Sequence, residues 1–260
     1  MAGLTRRSAA GGLGVLAAAI PAVAAAGAPQ PIALSDFETV IEGLKAPEGV
    51  AADRAGVVYV SSQESACVII APDGTKRRIG PPGASNGVAR GIRGANGCCF
   101  DRGERHLYVA QTPAGNVLRM RRLGRGRFGP PEPYGPVLGA VMADADIAGI
   151  RAQIAAGDRD LGYADGLAFD IAGNLWVTLP FANRIVAITP DRRVVSIVSD
   201  PQGRLMDMPT NLAFGGPDLR DLYIVSRLGG NVIRARSPIA GLPLAGQQSA
   251  RSRGPLGTSS

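Results

Sequence analysis

An internal repeat constrains the fold of this chain more than any other feature. One short plan recurs with copies that begin at Ala46, Ala95, Ala164 and Pro209. Each copy holds one polar residue followed by small apolar residues, then a polar turn, then a second apolar run. A further pair of apolar runs follows around another turn, which is typical of a β-hairpin. Units of about four short strands that recur roughly every 40–50 residues predict a β-propeller.

Composition agrees with an all-β protein built from short strands and many turns. The 260 residues include 36 Gly and 20 Pro, and only 5% are aromatic. Four blades are readable, and the length left after a leader supports about five. One helix is expected between Ala143 and Leu161, where Ile147, Ile150 and Ile154 have helical spacing. We expect this short amphipathic helix at residues 143–161 to serve either as a lid on the channel or as packed filler.

The N-terminus resembles an export signal. Paired arginines in Thr5-Arg6-Arg7-Ser8 precede a small-residue apolar run from Ala9 to Ala26, which predicts a twin-arginine signal over residues 1–28. An ordinary secretory signal is the alternative. The run is short for a stable membrane span. We therefore expect a periplasmic or secreted protein with one propeller domain over residues 32–244 and a disordered tail over 245–260, which is rich in Gly, Ser and Arg.

Charge and cysteine content exclude several other classes. The net charge is +7, but the arginines sit mostly near predicted turns and are not interleaved with aromatic residues, so we expect no nucleic-acid partner. The three cysteines, Cys67, Cys98 and Cys99, are an odd number without zinc-ligand spacing. We therefore predict that they are small buried core residues.

The polar residue of each repeat marks a candidate site. In a propeller the first strand of every blade lines the central channel, so the residue just before it faces the channel mouth. In the four copies this residue is Glu48, Asn96, Asp165 or Asn211. Two carboxylates and two amides that converge on one axis suit calcium, magnesium or manganese, and zinc if waters complete its shell. The alternative is that Asp and Asn at these positions make Asx-type turns.

Longer motifs carry a family resemblance. The segment from Pro209 to Leu219 with the following Leu222-Tyr223-Ile224, the stretch from Ala164 to Val177, and Pro47-Glu48-Gly49 resemble the gluconolactonase, senescence marker protein and luciferin-regenerating enzyme family. The ending Ile239–Leu244 is also similar. The resemblance covers roughly residues 40–244 and implies a six-bladed propeller with one divalent metal, held by a Glu, an Asn and an Asp that fall on Glu48, Asn96 and Asp165.

The resemblance also implies an activity, because family members hydrolyse lactones such as sugar lactones. The cation, which we expect to be calcium, would polarise the lactone carbonyl and make water acidic enough to attack. Asp165 would then hold the cation and accept the proton of that water as general base. Asn211, Thr210 and Asn86 are the candidates to line the channel against a sugar-derived substrate.

The sequence departs from the family between the first two repeats. Ser85-Asn86-Gly87 looks like the start of a further blade that does not continue, and the family's third blade has no match. A non-catalytic propeller that binds a sugar or protein partner is therefore an alternative. A propeller lyase or a strictosidine-synthase-like enzyme is another. The single histidine, His106, falls in a predicted hairpin away from the channel mouth, which disfavours mechanisms built on a histidine pair.

Overall fold

A computed structural model describes residues 27–62, 65–79, 95–124, 127–142, 147–157 and 160–244. The predicted signal up to residue 26, the candidate Asn86 and the tail over 245–260 lie outside these ranges, and the expectations for them stay predictions. Within the described ranges, no helix is long and apolar enough to cross a membrane.

The described chain forms 17 strands and one α-helix. A 3₁₀ turn, Leu34–Asp36, precedes strand β1, Glu38–Ile41. Blade I contains β2 (Val50–Ala52), β3 (Val58–Ser62), β4 (Ser65–Ile70) and β5 (Lys76–Ile79). Blade II contains β6 (Ala95–Phe100), β7 (His106–Gln111), β8 (Asn116–Gly124), β9 (Arg127–Phe128) and β10 (Glu132–Pro133). After helix α1 (Ile147–Ala155), blade III contains β11 (Leu167–Phe169), β12 (Leu175–Leu179), β13 (Arg184–Ile188) and β14 (Val194–Ser199). Blade IV contains β15 (Pro209–Gly215), β16 (Asp221–Ser226) and β17 (Asn231–Arg236).

Each blade is an antiparallel sheet whose first strand lies at one edge. The orders are β2-β3-β4-β5, β6-β7-β8-β10 with β9 on β8, β11-β12-β13-β14, and β15-β16-β17-β1. The outer strand of blade IV therefore comes from the N-terminal end of the chain, with Thr39 opposite Ile233. The first strand of the described chain thus completes the last blade. The prediction of an all-β propeller with four readable blades is confirmed for the described residues.

The buried core lies between neighbouring blades. Three large clusters of buried side chains join blade II to III, III to IV, and IV to I. Trp176 of blade III stacks edge-to-face on Phe214 of blade IV at 5.1 Å, and Tyr108 of blade II meets Phe169 of blade III at 4.9 Å. Alternate residues of β12 face opposite neighbours, with Leu175 and Val177 packed towards blade II and Trp176 towards blade IV, so all five residues of this strand are buried. This packing fixes the order II–III–IV–I among the first strands.

The predicted helix is present as α1 and packs against the segment that leads into blade III. Ile150 is buried in a small cluster with Leu161 and Tyr163. The Tyr163 hydroxyl contacts Gln153 of the helix and accepts a hydrogen bond from the Met142 N–H at 3.1 Å. Helix α1 is thus a packed element, and its role as a lid stays a prediction.

The prediction of buried cysteines is wrong for Cys98, which is exposed, while Cys99 is half-buried. Residues of β6 alternate between more and less exposed positions. Burial still raises the pKa of the Cys99 thiol. Both cysteines are free thiols, and the side chain of Cys67 is not described.

Candidate functional site

The beginnings of the first strands come unusually close to one another at one end of the propeller. A Cβ atom on Gly97 would lie 2.4 Å from the Asp165 carbonyl oxygen, and one on Gly166 would lie 2.6 Å from the Asn211 Cα. Only glycine, which has no Cβ, allows such an approach of two backbones. Asn96, Asp165 and Asn211 are therefore consecutive neighbours from blade II to blade IV.

Blade I adds Glu48 to this row of neighbouring residues. The Thr210 hydroxyl donates a hydrogen bond to the Glu48 carbonyl oxygen at 3.0 Å. A Cβ atom on Gly49 would lie 4.0 Å from the Asn211 side-chain nitrogen. The structure thus brings Glu48 to the same end as the other three residues. Thr210 itself is buried and bonds the backbone of blade I, and its predicted contact with substrate stays a prediction.

Hydroxyl side chains fasten the row together, a feature that the sequence reasoning missed. The Thr178 hydroxyl accepts the Gly166 N–H at 2.7 Å and donates to the Thr210 carbonyl at 3.2 Å. The Thr112 hydroxyl donates to the Ala164 carbonyl at 2.7 Å. A repeated signal was available, since every copy has Ser or Thr within one residue of the end of its second strand. These residues are Ser61, Thr112, Thr178 and Ser226.

The candidate residues differ in their relation to the strands. Glu48 and Asp165 lie two residues before β2 and β11, close to the predicted position. Asn96 and Asn211 lie inside β6 and β15, where the pairing begins earlier and is interrupted by a shift of register. A bulge of this kind reorients a side chain without ending the strand.

Asp165 carries the most unusual carboxylate of the site. It is half-buried, and no hydrogen-bond donor or cation within the described ranges pairs with its side chain. The Asp165 backbone N–H donates to the Thr178 carbonyl oxygen at 3.0 Å. Burial raises the pKa of Asp165 to about 7, because the charged form loses water without gaining a partner. A carboxylate held in this way is a strong candidate for a cation ligand or a proton acceptor.

The side-chain amides of Asn96 and Asn211 leave different hydrogen-bonding groups available for a ligand. The Asn211 Oδ1 accepts the Leu212 N–H at 2.8 Å, and its NH₂ group, on the side of Gly49, has no acceptor among the described residues. The Asn96 NH₂ donates to the Thr112 hydroxyl at 3.3 Å, which leaves its Oδ1 as an acceptor. Asn96 is therefore suited to ligate a cation, and Asn211 is suited to donate to a substrate oxygen.

Glu48 is the fourth member, and it has a partner that the sequence reasoning did not include. Its carboxylate forms an ion pair with Arg227, which directly follows β16. The two residues lie far apart in sequence, on blades I and IV, so no local pattern links them. Arg227 joins the candidate site through this contact.

The donor set fits a hard divalent cation. Glu48, Asn96 and Asp165 all offer oxygen atoms, and Asp165 has an unsatisfied negative charge, which a cation would neutralise. Across the described part of the chain, no three His, Cys, Asp or Glu residues form a cluster suited to a metal. The candidate set is therefore a mixed one that needs the amide oxygen of Asn96.

His106 lies at the opposite end of blade II, as expected. It begins β7, after the turn that follows β6, and its Nδ1 lies 2.9 Å from the Asp101 carboxylate. The same turn receives two backbone hydrogen bonds on Asp101, from Arg105 at 2.8 Å and from His106 at 3.4 Å. His106 therefore belongs to a structural turn.

Two relatives and one solved structure show what this chain is similar to. A 6-deoxy-6-sulfogluconolactonase of Pseudomonas putida is 38% identical over 85 residues, which are 33% of this chain and 27% of that protein. A pentonolactonase, XacC, of Haloferax volcanii is 27% identical over 180 residues, which are 69% of this chain and 53% of that protein. A calcium-binding protein, regucalcin, of Agrobacterium tumefaciens superposes with a TM-score of 0.43 at 14% identity, covering 75% of this chain and 62% of that one.

The chain spans only about half or less of the length of these two sequence relatives. A family model, by contrast, matches most of the described propeller. The SMP-30/Gluconolactonase/LRE-like region extends over residues 42–227, from the end of β1 to Arg227 at the candidate site. The chain therefore belongs to the SMP-30/gluconolactonase/LRE-like family.

Proposed function

We propose that this protein is a metal-dependent hydrolase that opens a lactone ring, with sugar lactones as its substrate class. One observation carries the proposal: the half-buried Asp165 carboxylate, unpaired within the described ranges, lies in a row with Asn96 and Asn211. Family membership and two relatives named as lactonases support the reaction class. The neighbouring polar residues Asn96, Asp165 and Asn211 support the proposed location of the active site.

Glu48, Asn96 and Asp165 are the residues that would hold the cation. Calcium suits them best because all three offer oxygen, with magnesium, manganese or zinc as alternatives. A bound divalent ion supplies polarisation of the ester carbonyl and stabilises the negative charge that develops on it. The protein's part is to keep three oxygen ligands from three blades at one end of the channel.

Asp165 is the proposed proton acceptor. During hydrolysis the oxygen of water bonds to the lactone carbonyl carbon, the ring C–O bond breaks, and the ring oxygen leaves as a hydroxyl. Asp165 accepts the proton that water loses and returns it to the leaving ring oxygen, which becomes the hydroxyl of the opened acid. Without a cation, burial raises the pKa of Asp165, and a bound divalent ion would favour its ionised form, which is the form that can accept a proton.

Asn211 is the proposed substrate-orienting residue. Its NH₂ group is left available because its oxygen already bonds the Leu212 N–H. A donor in this position matches the hydroxyl and carbonyl oxygens of a sugar lactone. Since Asn211 follows Asp165 in the row, a substrate held by Asn211 would lie beside the proton acceptor.

The test is a lactonase assay on the purified full chain with glucono-lactone and each added divalent ion, after subtraction of the uncatalysed rate. Asp165→Asn should lower the rate by at least about 100-fold, since the change removes a charge from the ligand set and the proposed base. Asp36→Asn, the same change at an exposed position near β1, should retain full activity.

Two results would contradict the proposal. A wild-type protein that hydrolyses no lactone with any divalent ion would favour the alternative of a binding propeller. An active protein in which Asp165→Asn keeps the full rate would keep the lactonase activity but remove Asp165 from the mechanism.

A further inference from the structure

The two carboxylates of the site differ in their partners. Asp165 has no donor or cation partner among the described residues, whereas the Glu48 carboxylate already pairs with the Arg227 guanidinium. The Arg227 backbone is itself fixed, because its N–H donates to the Met208 carbonyl oxygen at 2.9 Å. Arg227 is therefore held at the end of blade IV, where it faces the ligand that blade I contributes.

We infer that Arg227 occupies the Glu48 carboxylate until a divalent cation replaces it, so that the Arg227–Glu48 pair and the cation exclude each other. This inference rests on the proposed function, since it takes Glu48 as a cation ligand. A guanidinium and a divalent ion compete for the same carboxylate oxygens, and their positive charges repel each other at short range. Arg227 is thus a positioning residue that sets the affinity of the site for its cation.

The expected size of the effect follows from the exposure of the pair. The Glu48 side chain is 49% exposed and that of Arg227 is 30% exposed, so water screens their attraction. Exposed pairs of this kind change an equilibrium by a modest factor. Removal of the guanidinium should therefore tighten cation binding by about two- to fivefold.

A supporting role for Arg227 would predict the opposite change in cation affinity. If Arg227 only supports Glu48 in a productive orientation, its removal frees the carboxylate to rotate into solvent and weakens cation binding. The direction of the change in affinity therefore separates a competitor from a structural support.

Isothermal titration of calcium into the purified full chain measures this direction. Arg227→Gln removes the guanidinium from Glu48, and Arg227→Lys keeps the charge but loses the forked geometry. Arg193→Gln is the matched control, because Arg193 pairs with Asp191 in the turn between β13 and β14, at the other end of blade III. A thermal melt of each variant verifies folding.

We expect Arg227→Gln to bind calcium about two- to fivefold more tightly than the wild type, Arg227→Lys to lie between the two, and Arg193→Gln to match the wild type. An unchanged or weaker affinity in Arg227→Gln, with calcium binding that Asp165→Asn abolishes, would overturn this inference alone. Equal tightening in Arg193→Gln would also overturn it, because net charge would then explain the effect. Absence of calcium binding in the wild type would overturn both this inference and the calcium site of the proposed function.

Discussion

Asp165 and Asp170 lie on either side of strand β11 in blade III, and their surroundings differ in every respect. Asp170 is buried and accepts four hydrogen bonds at 2.8–3.0 Å, two from backbone N–H groups and two from the side chains of Asn174 and Trp176. Asp165 is half-buried, and the described residues offer its carboxylate no donor. One carboxylate is fully used by the fold, and the other is left for a ligand.

The repeat extends this contrast to the other blades. At the far end, Asp53 and Asp101 accept backbone N–H groups in the same kind of turn as Asp170. These are Asx-type turns, and they account for the aspartates there. At the end that carries the candidate site, the Asn211 side chain bonds only the next residue's N–H, and the Asp165 carboxylate bonds none among the described residues. The turn explanation therefore applies to the far end and fails at the site end.

Replacement of Asp170 by Ala is the most damaging way to test this contrast. The change leaves the Trp176 Nε1–H and the Asn174 NH₂ buried without an acceptor. We expect a loss of about 4 kcal/mol in the free energy of unfolding, since each buried unsatisfied donor costs about 1–3 kcal/mol. Urea unfolding monitored by Trp176 fluorescence measures it.

Asp53→Ala is the control for this measurement, because Asp53 occupies the equivalent turn of blade I. Its Oδ1 accepts the Ala55 and Val57 N–H groups at 2.9 Å, but its surroundings are only half-buried. Water can replace the lost acceptor, so a loss of about 1 kcal/mol is expected. Equal losses in the two variants would show that burial does not distinguish the turns.

Gly166→Ala tests the close approach of the strands at the end that carries the candidate site. The added Cβ would meet backbone atoms of the next blade, 2.6 Å from the Asn211 Cα and 2.7 Å from the Thr210 carbonyl oxygen. Because backbone must move, we expect a loss of about 3 kcal/mol in the free energy of unfolding, together with weaker calcium binding. Gly129→Ala is the control, as its nearest atom would lie 3.7 Å away, and its stability should change by less than about 1 kcal/mol. A stable Gly166→Ala variant with normal calcium affinity would contradict the close packing of the row.

Part of this architecture was predictable because it is repeated. Four copies of one plan were enough to predict four antiparallel blades and to place Glu48, Asn96, Asp165 and Asn211 at equivalent positions. Helix α1 was predictable from the spacing of its isoleucines. Because the four copies can be aligned with one another, residues at equivalent positions can be identified even where a bulge shifts the start of a strand.

Contacts between distant segments could not be predicted in the same way. The Arg227–Glu48 pair joins blade IV to blade I, and the pairing of β1 with β17 joins the first and last strands of the described chain. Neither leaves a local signature, since each partner alone is compatible with a solvated surface. The prediction that Cys98 is buried is wrong for a related reason: free cysteine is usually a buried residue type, but residue type does not show whether another blade covers that face of β6.

Among the three test substitutions, Asp165→Asn is expected to change the free energy of unfolding least, and it raises stability where Asp170→Ala and Gly166→Ala lower it. The unfolded chain ionises an aspartate near pH 4, whereas the folded protein holds the pKa of Asp165 at about 7. The folded wild type therefore loses stability as the pH rises from about 4 to 7, because the unfolded state releases the proton first. The amide has no charge to desolvate. In the presence of a chelator, Asp165→Asn should match the wild type near pH 4 and exceed it by about 2 kcal/mol near pH 8, after allowance for partial exposure to water.

Calcium sharpens this last test. A cation that neutralises Asp165 should raise the free energy of unfolding of the wild type near pH 8 and leave Asp165→Asn unchanged. Urea unfolding at several pH values, with chelator and with calcium, gives both comparisons. If the difference in free energy of unfolding between the wild type and Asp165→Asn stays constant with pH, the Asp165 carboxylate is not desolvated in the folded state. The contrast with the fully bonded Asp170 would then lose its physical basis.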